Sequence, residues 1–406
     1  MLKAYKYRLY PNEAQAELLD KHIGSCRFVY NLALECKQMA YAGSKVNLSC
    51  FDLIKQLPEL KTECEWLGEI NSQSLQQSIT HLDNAFTRFF KGQGDFPKFK
   101  KKASARKSFK VPQGVEVDFD NETLFLPKFK KKGIKIELHR KFKGDIKQAT
   151  ISRTPTGKYF ASILIETNTK VPVTKKVKEK TTLGIDLGIH SLIVMSDGRK
   201  IDNPKYLKAS QEKLQYIQRK FSKHKGKRTK RKLAVIHEKV ANQRRDFLNK
   251  LSTELINNQD SIAIENLNIK GMSTTCKPKQ AEDGTYLPNG QSAKSGLNKS
   301  ILDAGWGVFV NMLEYKAEWK GKNILTIGRF EPSSKTCSNC GLINKELTLK
   351  DREWTCSCGS VHDRDINASI NIKNFALKNY LFGTNRKNRN ELPTLVGVLT
   401  YEAPSL

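Results

Sequence analysis

Long apolar runs are missing from this 406-residue chain. None approaches the ~20 consecutive apolar residues that a membrane-spanning helix needs, so no segment reads as transmembrane. The N-terminus, MLKAYKYRLYPNEAQ, lacks the continuous apolar stretch of a secretory signal. A disulfide framework is missing as well. Four of the nine cysteines (Cys26, Cys36, Cys50 and Cys64) are scattered without ligand spacing, and the total is odd, which points to a reducing compartment. These absences predict an intracellular protein, cytoplasmic and in contact with chromosomal DNA if the host is a bacterium. Acid is scarce too: 41 Asp and Glu stand against 71 Lys and Arg, a formal charge of +30. Self-repulsion of that size is costly unless a polyanion neutralises it, and counterion release from nucleic acid fits best. With 12 Tyr and 19 Phe available for stacking, nucleic acid is the expected partner. Composition alone also permits a basic structural RNA-binding protein.

What is present falls into a clear order. LKAYKYRLY, residues 2 to 10, alternates as a strand does, and Pro11-Asn12 ends it. Two helical patterns follow, one from residue 13 and one from Ser72 to Lys91, so the first strand should pair with something later. Residues 91 to 110 hold eight basic residues and one acid, with Phe96 and Phe99 between lysines, as a backbone-gripping loop would. Short strands with a hairpin near Asn121 and a turn at Thr156-Gly157 fill the stretch to 166. With the first strand, they are expected to close one β-barrel interrupted by the helical insert. Residues 168 to 180 have linker composition. From 181 the pattern is strand, turn, strand, then two helical arms joined by SKHKGKRTKRK, a basic tip of seven Lys or Arg at 222 to 232. The apolar strand SIAIE follows. Residues 273 to 299 read as a mobile loop, 301 to 320 as one helix, NILTIGRF as a strand and 366 to 377 as a short helix.

Two constellations carry chemistry. Asp186 follows LGI, Glu265 follows SIAI, and Asp365 opens a helix. Acids at strand ends of an α/β sheet can converge on the crevice beyond its carboxyl edge, and together they supply the hard oxygen ligands that Mg²⁺ or Mn²⁺ takes. No Ser-His-Asp or Cys-His arrangement competes. His190 and His362 flank the acids and could assist them, but each reads first as a hydrogen-bonded structural residue. The second constellation is Cys337-x₂-Cys340, fifteen intervening residues, then Cys356-x-Cys358. Four thiolates beside Gly341 and Gly359 suit a closed, structural Zn²⁺ site.

LGIDLG, IAIENL, SSKTCSNCG and HDRDINASIN, in that order, resemble the transposon-encoded TnpB proteins of the IS200/IS605 group, relatives of type V CRISPR nucleases. YKYRLYPN, CRFVYN and FPKFK match too, so the resemblance spans residues 1 to 380. It implies a multidomain α+β protein. A wedge-type β-barrel (1–10 and 95–172) would be interrupted by a helical recognition lobe (11–94). A RuvC-like, RNase H-type α/β nuclease domain (173–334 and 360–380) would follow, with a zinc knuckle (335–359) inserted and a flexible tail from 381. The resemblance places the catalytic triad on Asp186, Glu265 and Asp365 rather than Asp363, with Arg364 near a scissile phosphate or holding the turn. Its implied partners are a guide RNA from the element's end, one protein copy per RNA, and double-stranded DNA cut beside a short adjacent motif. The Cys356-x-Cys358 spacing and Ser369, where the family often has Ala, depart from the pattern. Candidate nucleic-acid contacts are Lys3, Lys6, Arg8, Lys98, Lys100, Lys101, Lys102, Arg106, Lys107, Lys227, Arg228, Arg231 and Arg364, with Lys130 and Lys131 among the barrel lysines. Gln73, Gln76 and Gln77 have the chemistry for reading bases or for an ordinary polar helix face. A nuclease acting without a guide, and a guide-directed repressor that does not cut, are the alternatives.

Overall fold

The structure is a computed structural model that describes residues 1–104, 107–129, 132–348 and 350–382. Arg106, Lys130, Lys131 and the tail beyond residue 382 lie outside the described residues. Two compact units divide the chain between Lys170 and Val171. Among the described residues no helix is long and apolar enough to cross a membrane.

In the first unit, strand β1 (Leu2–Tyr10) leads into helix α1 (Glu13–Ser44). Asn12 starts this helix as its cap: its side chain accepts the Gln15 amide while the Gln15 side chain accepts the Asn12 amide, a reciprocal box that satisfies two otherwise orphaned donors. Short helices α2 (Cys50–Lys55) and α3 (Leu57–Glu63) precede α4 (Ser72–Phe90). The strands then run β2 (Lys107–Val111), β3 (Glu116–Asp118), β4 (Thr123–Phe125), β5 (Ile134–Glu137), β6 (Asp145–Arg153) and β7 (Tyr159–Glu166). β1 does pair with later strands, antiparallel to β7 on one side and β5 on the other. Leu19, Ile23, Val29, Leu75, Ile79 and Leu82 of α1 and α4 share one core with Tyr7, Leu9, Ile136, Ile151 and Ile163 of the sheet.

Among the described residues the expected β-barrel is not formed. All seven strands lie in one sheet, in the order β2-β6-β7-β1-β5-β4-β3, and no ladder among these residues joins β2 to β3. Those two edges are consecutive in the chain and only residues 112 to 115 separate them, so the sheet curls back toward itself. Closure needs hydrogen bonds between first and last strand, and three-residue strands at the β3/β4 edge do not supply them.

The second unit is built on a five-stranded sheet ordered β10-β9-β8-β11-β14. Strand β8 (Thr182–Leu187) is followed by β9 (Ser191–Met195) and β10 (Lys200–Asp202), then by helices α5 (Tyr206–Ala209), α6 (Gln211–Lys223) and α7 (Lys227–Asn258). β11 (Ser261–Glu265) comes next, then α8 (Ile269–Met272), a small hairpin of β12 (Lys279–Gln280) and β13 (Tyr286–Leu287), α9 (Gln291–Ala304) and α10 (Trp306–Lys320). β14 (Asn323–Ile327), the hairpin β15 (Glu353–Thr355) and β16 (Val361–Asp363), and α11 (Arg364–Leu381) complete it. β8, β11 and β14 are mutually parallel and β9 is antiparallel. Alternate residues face opposite layers. Ile185, Ile262 and Ile264 pack with α7 and α10 residues such as Leu248, Leu251 and Phe309, whereas Ala263, Leu325 and Ile327 pack with Ile372 and Ala376 of α11.

Where a loop and one helix were expected over 273–320, the chain forms the small hairpin and two helices. They meet at Gly305, whose φ of 70° suits glycine and ends α9. A Cβ there would also lie 2.9 Å from the Arg244 side chain. The connection between α6 and α7 is only residues 224 to 226, and five of the seven basic residues expected at the tip, Lys227, Arg228, Lys230, Arg231 and Lys232, lie in the first turns of α7.

Candidate active site and cysteine cluster

Gly184 explains how the acids come together. An added Cβ at this position would meet the Ser369 carbonyl at 2.1 Å, so only glycine lets the α11 backbone lie directly on β8. Asp186 is two residues further along β8 and therefore faces the same layer. On the adjacent parallel strand Ile264 pairs with Ile185, and Glu265, two residues past Ala263, also turns toward α11. Asp365 stands in the first turn of α11. All three acids thus serve one edge of the sheet.

Their electrostatics agree with that placement. Burial, reinforced by the charges of Glu265 and Asp365 and opposed by Arg364, pushes the Asp186 carboxyl up to about 7. Ser333 Oγ donates to Glu265 Oε1 at 2.6 Å. Asp365 is held by Arg364, 3.1 Å from Oδ1, and by Arg352, 3.3 Å from Oδ2. An all-oxygen donor set in which like charges raise a pKa is the chemistry a hard divalent cation relieves. Among the described residues, however, only the cysteines are gathered tightly enough to form a metal-holding group of three or more. Each Asp365 oxygen is thus paired with one arginine. Asp363 is not part of the set: it caps α11 and pairs with Lys200 at 2.5 Å.

The second expected cluster is assembled. The Sγ atoms of Cys337, Cys340, Cys356 and Cys358 lie within 4.8 Å of one another. Cys337–Cys358 is 3.8 Å and Cys340–Cys356 3.5 Å. A Zn–S bond of ~2.3 Å implies sulfur–sulfur edges of about 3.8 Å in a tetrahedron, so these four can coordinate Zn²⁺. Gly341 and Gly359 follow Cys340 and Cys358 with φ of 80° and 84°, and their amides return to the Cys337 and Cys356 carbonyls at 2.9 Å. The single-residue spacing of the second pair is accommodated by the β15–β16 turn. His362 Nε2 is 3.0 Å from Cys337 Sγ, and its ring lies against Trp354. His190 is exposed.

The basic candidates are spread over both units. In β1, Lys3 has the parity of Tyr5 and Tyr7, while Lys6 and Arg8 share the other face, each over the Phe160 ring. Lys98, Lys101 and Lys102 are exposed, and Lys100 is clamped to α1 by Asn31, whose side chain bonds its amide and carbonyl at 2.8 and 3.0 Å. Lys107 opens β2. Gln73 bonds Gln113 at 2.9 Å, and Gln76 and Gln77 are half-buried on α4. Lys227, Arg228 and Arg231 are exposed where α7 starts without a side-chain cap or a first-turn acid. Cations at a helix N-terminus oppose its dipole, and a bound polyanion would remove that conflict. Ser333 and Asn31 were not singled out by sequence because they act on residues 68 and 69 positions away; Arg352 meets Asp365 across the β15–β16 hairpin, 13 residues on, and no local pattern marks it.

Fold and site together define a multidomain α/β protein with three carboxylates at one sheet edge and a Cys₄ cluster able to take a metal. Family models match in three places: a helix-turn-helix domain of the IS605 OrfB type over residues 1–45, an IS605 OrfB "probable transposase" over 162–275, and a Cas12f1-like TNB domain over 306–372. The chain is 36% identical over 380 residues to a "Putative RNA-guided DNA endonuclease" of Streptomyces pristinaespiralis, covering 91% of this chain and 88% of that protein. It is 33% identical over 379 residues to the "Putative RNA-guided DNA endonuclease InsQ" of Escherichia coli K12, covering 91% of each. The fold is similar to Cas12f1 in its cryo-EM complex with sgRNA and target DNA (TM-score 0.53, 15% identity, 89% of this chain and 83% of that one). The chain belongs to the TnpB family of IS200/IS605 RNA-guided nucleases. Residues 1–45 are nevertheless one strand and one long helix, not a helix-turn-helix.

Proposed function

We propose that this protein is an RNA-guided endonuclease that cuts double-stranded DNA beside a short adjacent motif by divalent-metal-dependent phosphodiester hydrolysis. The observation that carries the reading is the convergence of Asp186, Glu265 and Asp365 on one sheet edge, with the Asp186 carboxyl raised by burial and then by the charges of the other two. In this reading the three acids hold Mg²⁺ or Mn²⁺, which supplies water activation and charge stabilisation at the phosphodiester when bound. Arg364 and Arg352 balance the carboxylates before metal arrives and lie ready for the phosphate that enters with substrate. Residues 335 to 359 form a structural Zn²⁺ knuckle inserted between β14 and α11, and its exit delivers Asp365.

Guide RNA from the transposon end, one protein per RNA, and target DNA are the partners assigned to the basic surface, and the bacterial cytoplasm is the setting. The protein would read the shape and backbone of the guide–target hybrid while base pairing reads sequence. Purification from cells carrying the native locus tests this. The bound RNA is sequenced, and the complex is challenged with a DNA library of randomised flanks, with E265A as control. Cleavage that persists after RNA is stripped points to a nuclease acting without a guide. Binding without cutting in Mg²⁺ points to a repressor.

A further inference from the structure

We propose that Ser333 is a positioning residue for Glu265, and that α11 fixes it through Asn371. This rests on the reading of Glu265 as a metal-holding carboxylate.

Ser333 is 4% exposed, and its hydroxyl donates to Glu265 Oε1 at 2.6 Å. A short bond from a hydroxyl to a charged acceptor belongs to the stronger class and selects one carboxylate rotamer. With Oε1 engaged, Oε2 is the oxygen offered to an ion. Ser333 itself is tied down from α11. The Asn371 amide donates to the Ser333 carbonyl at 2.8 Å and to the Thr336 carbonyl at 2.6 Å. One turn earlier, Asn367 donates to the Thr336 carbonyl at 2.7 Å and accepts the Ser338 amide at 2.9 Å. Both asparagines are at most 2% exposed, a burial that polar amides tolerate only when bonded. Further along α11, Asn379 donates to Glu331 Oε1 at 3.0 Å, which also accepts the Gly328 amide.

One helix therefore does two things. Its first turn carries Asp365, and its asparagines hold the segment whose serine sets Glu265. Two acids from distant parts of the chain are referenced to a single rigid element, and the same segment enters the cysteine cluster at Cys337. Without Ser333, Glu265 would choose among rotamers beside the Asp186 carboxylate with which its charge interacts.

The test compares S333A, S333T and E265A in complexes assembled with guide RNA. Mn²⁺ binding is followed by loss of the free-ion EPR signal, with E265A giving the RNA background, and cleavage is measured against Mg²⁺ concentration. S333A should weaken the protein-dependent Mn²⁺ binding and raise half-saturating Mg²⁺ about tenfold, the size of one hydrogen bond to a charged group. Melting temperature should stay within about 2 °C of the parent, and S333T, which keeps the hydroxyl, should recover most of the loss. Unchanged metal affinity in S333A beside an inactive E265A overturns the proposal. So does a loss that S333T shares in full, or one seen only at saturating metal. Full cleavage by E265A would instead remove the active-site reading on which the proposal rests.

Discussion

Asp363 caps the helix that Asp365 opens: its Oδ1 accepts the Asp365 amide at 3.1 Å and the Ile366 amide at 3.0 Å. Two aspartates two residues apart in one motif thus have separable tasks. D363A removes a cap and the Lys200 partner, and should cost about 1 kcal/mol while leaving most cleavage intact. D365N keeps the helix start and should abolish cleavage with little change in melting temperature. Thermal melts and cleavage rates of the pair decide it, and a reversed pattern would assign the acid wrongly.

How much of this could be read beforehand depends on the range of the interaction. LGID and IAIE were legible because an apolar run ending in an acid records both strand and edge in adjacent residues. The cysteine spacing was legible because ligand geometry is local to each pair. The buried Arg244–Asp303 pair was not. Asp303 accepts Arg244 at 2.9 Å and the Leu207 amide at 3.0 and 3.1 Å, partners 59 and 96 residues distant. Nothing near either residue signals the other. The barrel expectation failed for a related reason: strand patterns report which residues lie in a sheet but not whether its edges meet. The helix break at Gly305 was hidden because apolar periodicity continues on both sides of it.

The cysteine cluster should behave as a folding element. C340S removes one of four thiolates, and is expected to lower zinc stoichiometry and thermal stability together. Because Cys337 shares its segment with Thr336 and Ser338, both bonded to Asn367, the loss should loosen that segment as well. Metal content by elemental analysis, read beside the melt, checks it; undiminished zinc in C340S would rule out the four-thiolate site.

The start of α7 offers an electrostatic prediction. Lys227, Arg228 and Arg231 oppose the helix dipole in the free protein and would be relieved by phosphate. Replacing all three with Gln should stabilise the free protein slightly. It should also reduce the salt dependence of nucleic-acid affinity by about two to three ion equivalents. Binding isotherms over a series of salt concentrations measure the slope, and an unaltered slope would place these cations outside the interface.

His22 should contribute to the acid sensitivity of the first unit, beside His81, whose burial lowers its pKa to about 4. This residue is 1% exposed, against the rings of Phe109 and Phe129 and near Lys128. Its Nδ1 lies 2.8 Å from the Leu18 carbonyl, and the Asn71 amide donates to its Nε2 at 3.2 Å. That pair of bonds describes a neutral ring with the proton on Nδ1, because a proton on Nε2 would face another donor. Burial lowers the pKa first, the Leu18 carbonyl works against it, and Lys128 lowers it further. Below about pH 6.5 the unfolded chain binds a proton that the folded ring refuses, so His22 stabilises the fold fully above that pH. The contribution is lost as pH falls from there toward the lowered folded value. H22L abolishes the titration but leaves the Asn71 amide unpaired, at a baseline cost of about 1 to 3 kcal/mol. Melting temperatures of parent and variant should therefore converge on going from about pH 7.5 to about pH 5.5. A gap that stays constant across that range would show that His22 does not contribute to the acid response.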